Sequence, residues 1–293
     1  MWYDDKELIL VLNDGEKEMA YDLKKLQLVE LQILKDVAEF CDKNDIVYFL
    51  DGGTLLGAIR HQGFIPWDDD IDIIMDVENY KKFCKLAPTG LPKCYFVQNM
   101  DTDKKTCISW TKVRKNGTTC MERKLTAYDV HYGVGIDIFV LIGAPKSTMG
   151  QTAWKIAKTI EDILLDKYYC QARGGAASKC GSMLWKMPDG MRRWVIHILQ
   201  KCIMVPCKGH EKLMNMWCDS FAKFAVPADT YNVETRKKMK FEDAEFWCPG
   251  GYDEILRAYY GEWWVIPPKE EQVTHGDLIV DFDNDYKMYY TGN

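Results

Sequence analysis

The chain has no long apolar run. No uninterrupted stretch of its 293 residues approaches the ~18 needed to cross a bilayer as a helix. Its start, MWYDDKELIL, turns acidic early and lacks the apolar block of an export signal. The expected location is therefore the cytoplasm, where thiols stay reduced. There is no excess of positive charge: the formal net charge is −6, so nucleic acid is not an expected partner. CxxC spacing is absent among the eleven cysteines. The tightest group, Cys202, Cys207, His210 and Cys218, is spaced irregularly, and buried or incidental thiols outweigh a zinc site there. No internal repeat or low-complexity tract stands out. What remains is an ordinary globular composition, 47% hydrophobic and 28% charged, on a chain long enough for one large domain or two.

The unusual feature is a cluster of acids. In LDGGTLLGAIRHQGFIPWDDDIDI, Leu50 to Ile73, four aspartates fall within five positions: Asp68, Asp69, Asp70 and Asp72. Like charges this close must be solvated or gathered around a cation. Ile71, Ile73 and Ile74 are interleaved with them, as in a half-buried strand running Asp70 to Met75. Residues two apart on a strand share a face, so Asp70 and Asp72 point the same way, with Asp68 near that face. Asp69 falls on the opposite side and reads as structural. Oxygen ligands alone suit Mg²⁺ or Mn²⁺ better than zinc.

Other elements follow from periodicity. Residues 6–12 read as a strand and 13–15 as a turn. Leu23 to Phe40 carries helical spacing with Asp22 as cap. Ile46 to Leu50, Tyr95 to Gln98, Cys107 to Arg114 and Val134 to Leu141 read as strands. Thr54 to Arg60 and Tyr80 to Leu86 read as helices. From 146 to 225 the pattern becomes two to four helices. Lys146 to Lys212 holds 12 basic and 5 acidic residues, a net of +7, which leaves −13 on the rest of a −6 chain. Within it, Met191 to Cys207 is strongly apolar with basic flanks. It reads equally as a core helix with a basic face or as a helix lying on anionic lipid.

These residue types suit phosphoryl transfer. A divalent metal offsets the charge that makes a phosphoanhydride resist attack. Asp70 and Asp72 supply two ligands from one strand. Asp137, set among Ile136, Ile138 and Phe139, is the natural third, because a lone carboxylate there needs a cationic partner; a salt bridge is the alternative. Asp68 is a further ligand or the base for an acceptor hydroxyl. Gly52 and Gly53 let backbone N–H groups approach phosphate, and Thr54 opens a helix whose N-terminus favours an anion. Lys112 and Arg114 alternate on a strand and either face the phosphates or line an exposed face. Arg60 and His61 end the short helix, steering substrate or capping it. Asp281, Asp283 and Asp285 do not make a calcium loop, because Tyr286 stands where the glycine is required.

The string GGTLLGAIRHQGFIPWDDDIDI resembles the LicD family within the nucleotidyltransferase superfamily. GIDIF, Gly135 to Phe139, resembles its second acidic strand, and Phe241 to Asp277 its C-terminal pattern. The resemblance implies an α/β (α+β) fold, a nucleotidyltransferase-like mixed sheet core over 1–145. A basic helical insertion follows over 146–240, and 241–293 completes the site. It implies transfer of phosphocholine from CDP-choline to a hydroxyl of a cell-surface glycan precursor on a lipid carrier, such as teichoic acid, lipopolysaccharide or capsule. Cytidine monophosphate leaves, and the enzyme works at the inner face of the membrane. On that reading His275 contacts phosphate, Glu262 carries acid–base or metal work, and Trp67, Trp110 and Trp263 are candidate walls of a choline cage. Val140 and Ile142 depart from the Pro-Leu-Asp usual after the second acidic strand, and Glu262 stands where Asp is usual, which leaves substrate choice open. The rivals are transfer of ribitol or glycerol phosphate, nucleotidyl transfer from a nucleoside triphosphate, and a non-catalytic glycan- or lipid-binding protein.

Overall fold

The computed structural model describes residues 21–122, 129–166, 181, 183–218, 220–274 and 276–290. The expected strand at 6–12, the turn after it, and His275 lie outside them. Helix α1, Leu23–Lys43, opens where Asp22 accepts from Lys25 N at 3.0 Å and turns Leu26, Ile33, Leu34 and Val37 into the core. Strand β1 is only Phe49–Leu50, shorter than the expected run from Ile46. Helix α2, Gly52–Arg60, starts at the first glycine, two residues before Thr54. Strand β2 is Asp72–Asp76, and helix α3, Val77–Gly90, follows with Asp76 capping Glu78 and Asn79.

Two expectations for β2 need correcting. The strand begins at Asp72 rather than Asp70, so Asp70 lies in the segment leading into it. It is also not half-buried, since Ile73, Ile74 and Met75 are all fully buried. A strand covered on both faces reads as a continuous apolar run, so alternation is lost.

The main sheet has seven strands. Its principal path is β1–β2–β6–β4–β3, with β3 at Tyr95–Gln98, β4 at Thr111–Lys115 and β6 at Gly135–Gly143. Strand β5, Thr119–Glu122, lies outside it and pairs with Leu278–Asp281. β6 runs parallel to β2 along one edge. Along its other edge it pairs antiparallel, first with β4 over its N-terminal half and then with β7, Lys212–Asn215, at its C-terminal end. Residues 212–215 thus join the sheet and pair on to Val226–Pro227, although the stretch from 146 to 225 reads as two to four helices. Strand registers are set across the chain, where local periodicity does not reach.

Helices α4, Thr148–Leu165, and Asp189–Ile203 pack on each other beside this sheet. A hairpin, Lys237–Phe241 with Ala244–Cys248, and the helix Tyr252–Tyr260 lead to the C-terminal segment. Arg60 Nη1 donates to the carbonyls of Trp263 at 2.8 Å and Val265 at 3.2 Å, which docks that segment against the end of α2.

Candidate active site

The parallel pairing of β2 with β6 sets Asp72 directly beside Asp137. On the far side of β6, Lys112 is in register with Asp137. Lys112 Nζ donates to Asp137 Oδ2 at 2.7 Å and Trp110 Nε1 donates to Oδ1 at 2.5 Å. The expected strand-borne carboxylate therefore sits where two donors hold both of its oxygens. Arg114 shares the strand with Lys112 but turns to Gln98 Oε1 at 2.6 Å and the Gly133 carbonyl at 2.8 Å.

Around Asp72 the charges converge. Its carboxyl is pushed well above the ordinary range, first by burial and then by the charges of Asp70, Asp137, Asp51 and Asp68. Asp72 N donates to Thr54 Oγ1 at 2.8 Å, and Asp51 N donates to the Asp72 carbonyl at 3.1 Å, so the start of α2 is tied to the start of β2. The two glycines have a local purpose here. A Cβ on Gly52 would lie 2.8 Å from Asp72 Oδ2, and one on Gly53 would lie 2.6 Å from Asp68 Oδ2. Gly52 also has φ +54°, a conformation glycine tolerates best. The missing side chains admit carboxylates to the first turn of α2, whose N-terminal dipole favours negative charge. Asp69, read as structural, accepts from Tyr21 Oη at 3.0 Å.

Sequence reasoning passed over several neighbours. Asp51, at the N-cap of α2, is buried and titrates up at about 6 because burial disfavours its charge. Its Oδ2 accepts from Asn215 Nδ2 at 2.7 Å. Asn215 Oδ1 in turn accepts from Trp217 N at 2.9 Å, and Trp217 meets Trp110 edge-on with ring centroids 4.4 Å apart. One chain of contacts thus runs from the acids to an aromatic corner beside Asp137. Glu30 of α1 is buried and pushed well up, by burial and then by Asp70, Asp69 and Asp68. An acid directly before a glycine pair was a usable signal for Asp51. Nothing local marks Asn215, Trp217 or Glu30.

The expected aromatic walls have different neighbours. Trp110 meets Trp217 and Phe139, Trp67 meets His61, and Trp263 meets Trp264 while donating to Asp253 Oδ1 at 2.9 Å. Glu262 is exposed. Cys207 donates to the Leu141 carbonyl and His210 contacts that of Ala144.

The donors at hand are hard carboxylate oxygens whose mutual repulsion a divalent cation would relieve, so their chemistry fits Mg²⁺ or Mn²⁺. Among the described residues no three His, Cys, Asp or Glu side chains are grouped closely enough to hold an ion as they stand. To serve as the third ligand, Asp137 must exchange Lys112 for the ion.

The LicD/FKTN/FKRP nucleotidyltransferase domain model matches residues 45–160, which contain the acidic cluster, Lys112 and Asp137. The chain is 29% identical over 260 residues to the lipopolysaccharide cholinephosphotransferase LicD of Haemophilus influenzae, covering 86% of this chain and 95% of that one. It is 40% identical to uncharacterized proteins of Rickettsia typhi, over 79 residues, and Rickettsia prowazekii, over 109. Those matches cover 26% and 41% of the Rickettsia chains and 27% and 36% of this one.

Proposed function

We propose, from the match of residues 45–160 to the LicD/FKTN/FKRP domain and the 29% identity to LicD over most of the chain, that this protein acts as a member of the LicD family and transfers phosphocholine from CDP-choline to a hydroxyl of a glycan acceptor. The observation that carries this reading is the in-register pair Asp72 and Asp137 on parallel strands, with Asp70, Asp68 and Asp51 adding charge around Asp72. Asp70, Asp72 and Asp137 would hold Mg²⁺, which offsets charge on the diphosphate.

The acceptor oxygen attacks the phosphorus that bears choline. The bond from that phosphorus to the bridging oxygen breaks, and cytidine monophosphate leaves with the bridge. The acceptor proton passes to a carboxylate, for which Asp68, buried against Gly53, is the candidate. Gly52, Gly53 and Thr54 orient the donor phosphates at the first turn of α2. Lys112 balances Asp137 until the donor arrives and then turns to phosphate. Trp110 and Trp217 supply aromatic faces for the quaternary ammonium, next to the acids rather than at a distance from them. The acceptor is read as lipopolysaccharide or a related surface glycan from the named relative.

A nucleotidyl transfer reading is favoured by the domain the chain matches and uses the same acids. Incubation with Mg²⁺ and either CDP-choline or cytidine triphosphate separates the two. Cytidine monophosphate release from CDP-choline, with choline appearing on glycan, supports the proposal. Pyrophosphate release from the triphosphate alone overturns it.

A further inference from the structure

The helix Asp189–Ile203 is amphipathic in an unusual sense. Ile196 and Ile203 are buried against the fold. Met191, Trp194 and Ile198, at successive helical steps, form a second apolar stripe that faces outward, 54%, 63% and 40% exposed. Lys201 continues the same stripe and is exposed. Arg192 and Arg193 flank it. Arg193 donates to the carbonyls of Met100 and Lys104, which brings Lys104 and Lys105 alongside.

Arg192 stacks 3.7 Å from the Trp185 ring centre and pairs with Asp189 at 2.9 Å.

We propose that this face docks on the surface of a bilayer carrying anionic phospholipid. The stripe enters the boundary between headgroups and acyl chains, and the exposed Lys201 at its end meets the lipid phosphates. An outward apolar stripe bordered by cations is the pattern that binds such a surface. The regional charge agrees, since the segment from Lys146 to Lys212 carries 12 basic against 5 acidic residues in an otherwise acidic chain. A second copy of the chain fits less well, because a two-fold contact through the stripe sets the cations Arg192, Arg193 and Lys201 of one copy against the cations of the other. No helix among the described residues is long and apolar enough to cross the bilayer.

The test is co-sedimentation of the full chain with vesicles of phosphatidylcholine alone or mixed with phosphatidylglycerol, for the wild type and a Trp194→Glu/Ile198→Glu double variant. Both positions are exposed, so an unchanged melting temperature verifies the fold. The expected result is pelleting with the phosphatidylglycerol vesicles and at least a roughly tenfold weaker partition for the variant. Wild-type protein that ignores both vesicles, or prefers neither, overturns the proposal, as does a variant that pellets like wild type. A wild-type dimer in sedimentation velocity that the variant dissociates also overturns it, by making the stripe a protein interface. Donor cleavage measured without vesicles does not involve this face, so either outcome leaves the reaction to be judged separately.

Discussion

Replacing Lys112 with methionine isolates the contact that shapes the site. The ion pair to Asp137 spans 2.7 Å, with side chains 22% and 10% exposed. At an effective dielectric near 20 the Coulomb term at that distance is about 6 kcal/mol. Ordering the lysine side chain takes back up to ~2 kcal/mol, and partial desolvation of both charges removes more. A coupling of about 2–3 kcal/mol remains for a Lys112→Met/Asp137→Asn double-mutant cycle. Lys112→Met alone leaves a buried carboxylate held by Trp110 only, a loss of about 3 kcal/mol, or about 6–12 °C in melting temperature. Asp137→Asn is milder, because an amide oxygen still accepts from Trp110 and the Lys112 ammonium it leaves unpaired is the more exposed of the two groups. The cycle is measured by urea or thermal unfolding in chelator and repeated with Mg²⁺. Metal at one hundred times its dissociation constant returns about 2.7 kcal/mol to Lys112→Met. A coupling below about 0.5 kcal/mol refutes the electrostatic account. Full coupling with no metal response leaves Asp137 as a structural salt bridge.

Three further outcomes are expected. Asp72→Asn lowers CDP-choline turnover at least about a hundredfold while leaving the melting temperature equal or higher, because it removes one of several carboxylates that repel each other; a stability loss above about 2 kcal/mol contradicts this. Trp217→Ala raises the KM for CDP-choline by roughly 2- to 30-fold, the equivalent of about 0.5–2 kcal/mol of cation–π attraction, and leaves CDP-ribitol unaffected; equal effects on both donors deny the aromatic corner its role.

His131 gives a pH signature. Burial and then Arg114 lower it from 6.5 to about 4, while it stacks on Phe96 and accepts from Gly133 N. The unfolded chain then binds more protons than the folded one between those values. Stability is fully present above about pH 6.5 and is lost as pH falls toward 4, by about 3 kcal/mol from this group. His131→Phe keeps the stack and flattens that slope in unfolding measured across the window; an unchanged slope assigns the loss to other groups.

Much of the core was legible because its signals are local. Tyr95–Gln98 is a strand at the bounds read from the sequence, and α1 starts at the cap read from Asp22. The acid–apolar–acid pattern at Asp72 and the lone acid at Asp137 predicted a pairing that the parallel register delivers. The parts that were not legible depend on distant contacts. Asn215 reaches Asp51 across 164 residues, and Trp217 takes its place from that contact. Strand β7 reads as part of a helical segment because its four residues are defined by the free edge of β6, not by their own periodicity. Lys112 and Arg114 share a strand face as expected, but each pairs within the protein, a choice that strand alternation cannot reveal.

The central claim is that these carboxylates take up a divalent cation together with the donor. Electron paramagnetic resonance of Mn²⁺ titrated into the protein with CDP-choline present tests it without reference to turnover. The account predicts that one or two ions lose their free signal per wild-type chain and that Asp70→Asn/Asp72→Asn abolishes the uptake. Equal Mn²⁺ binding by wild type and the double variant, or none by either, contradicts it.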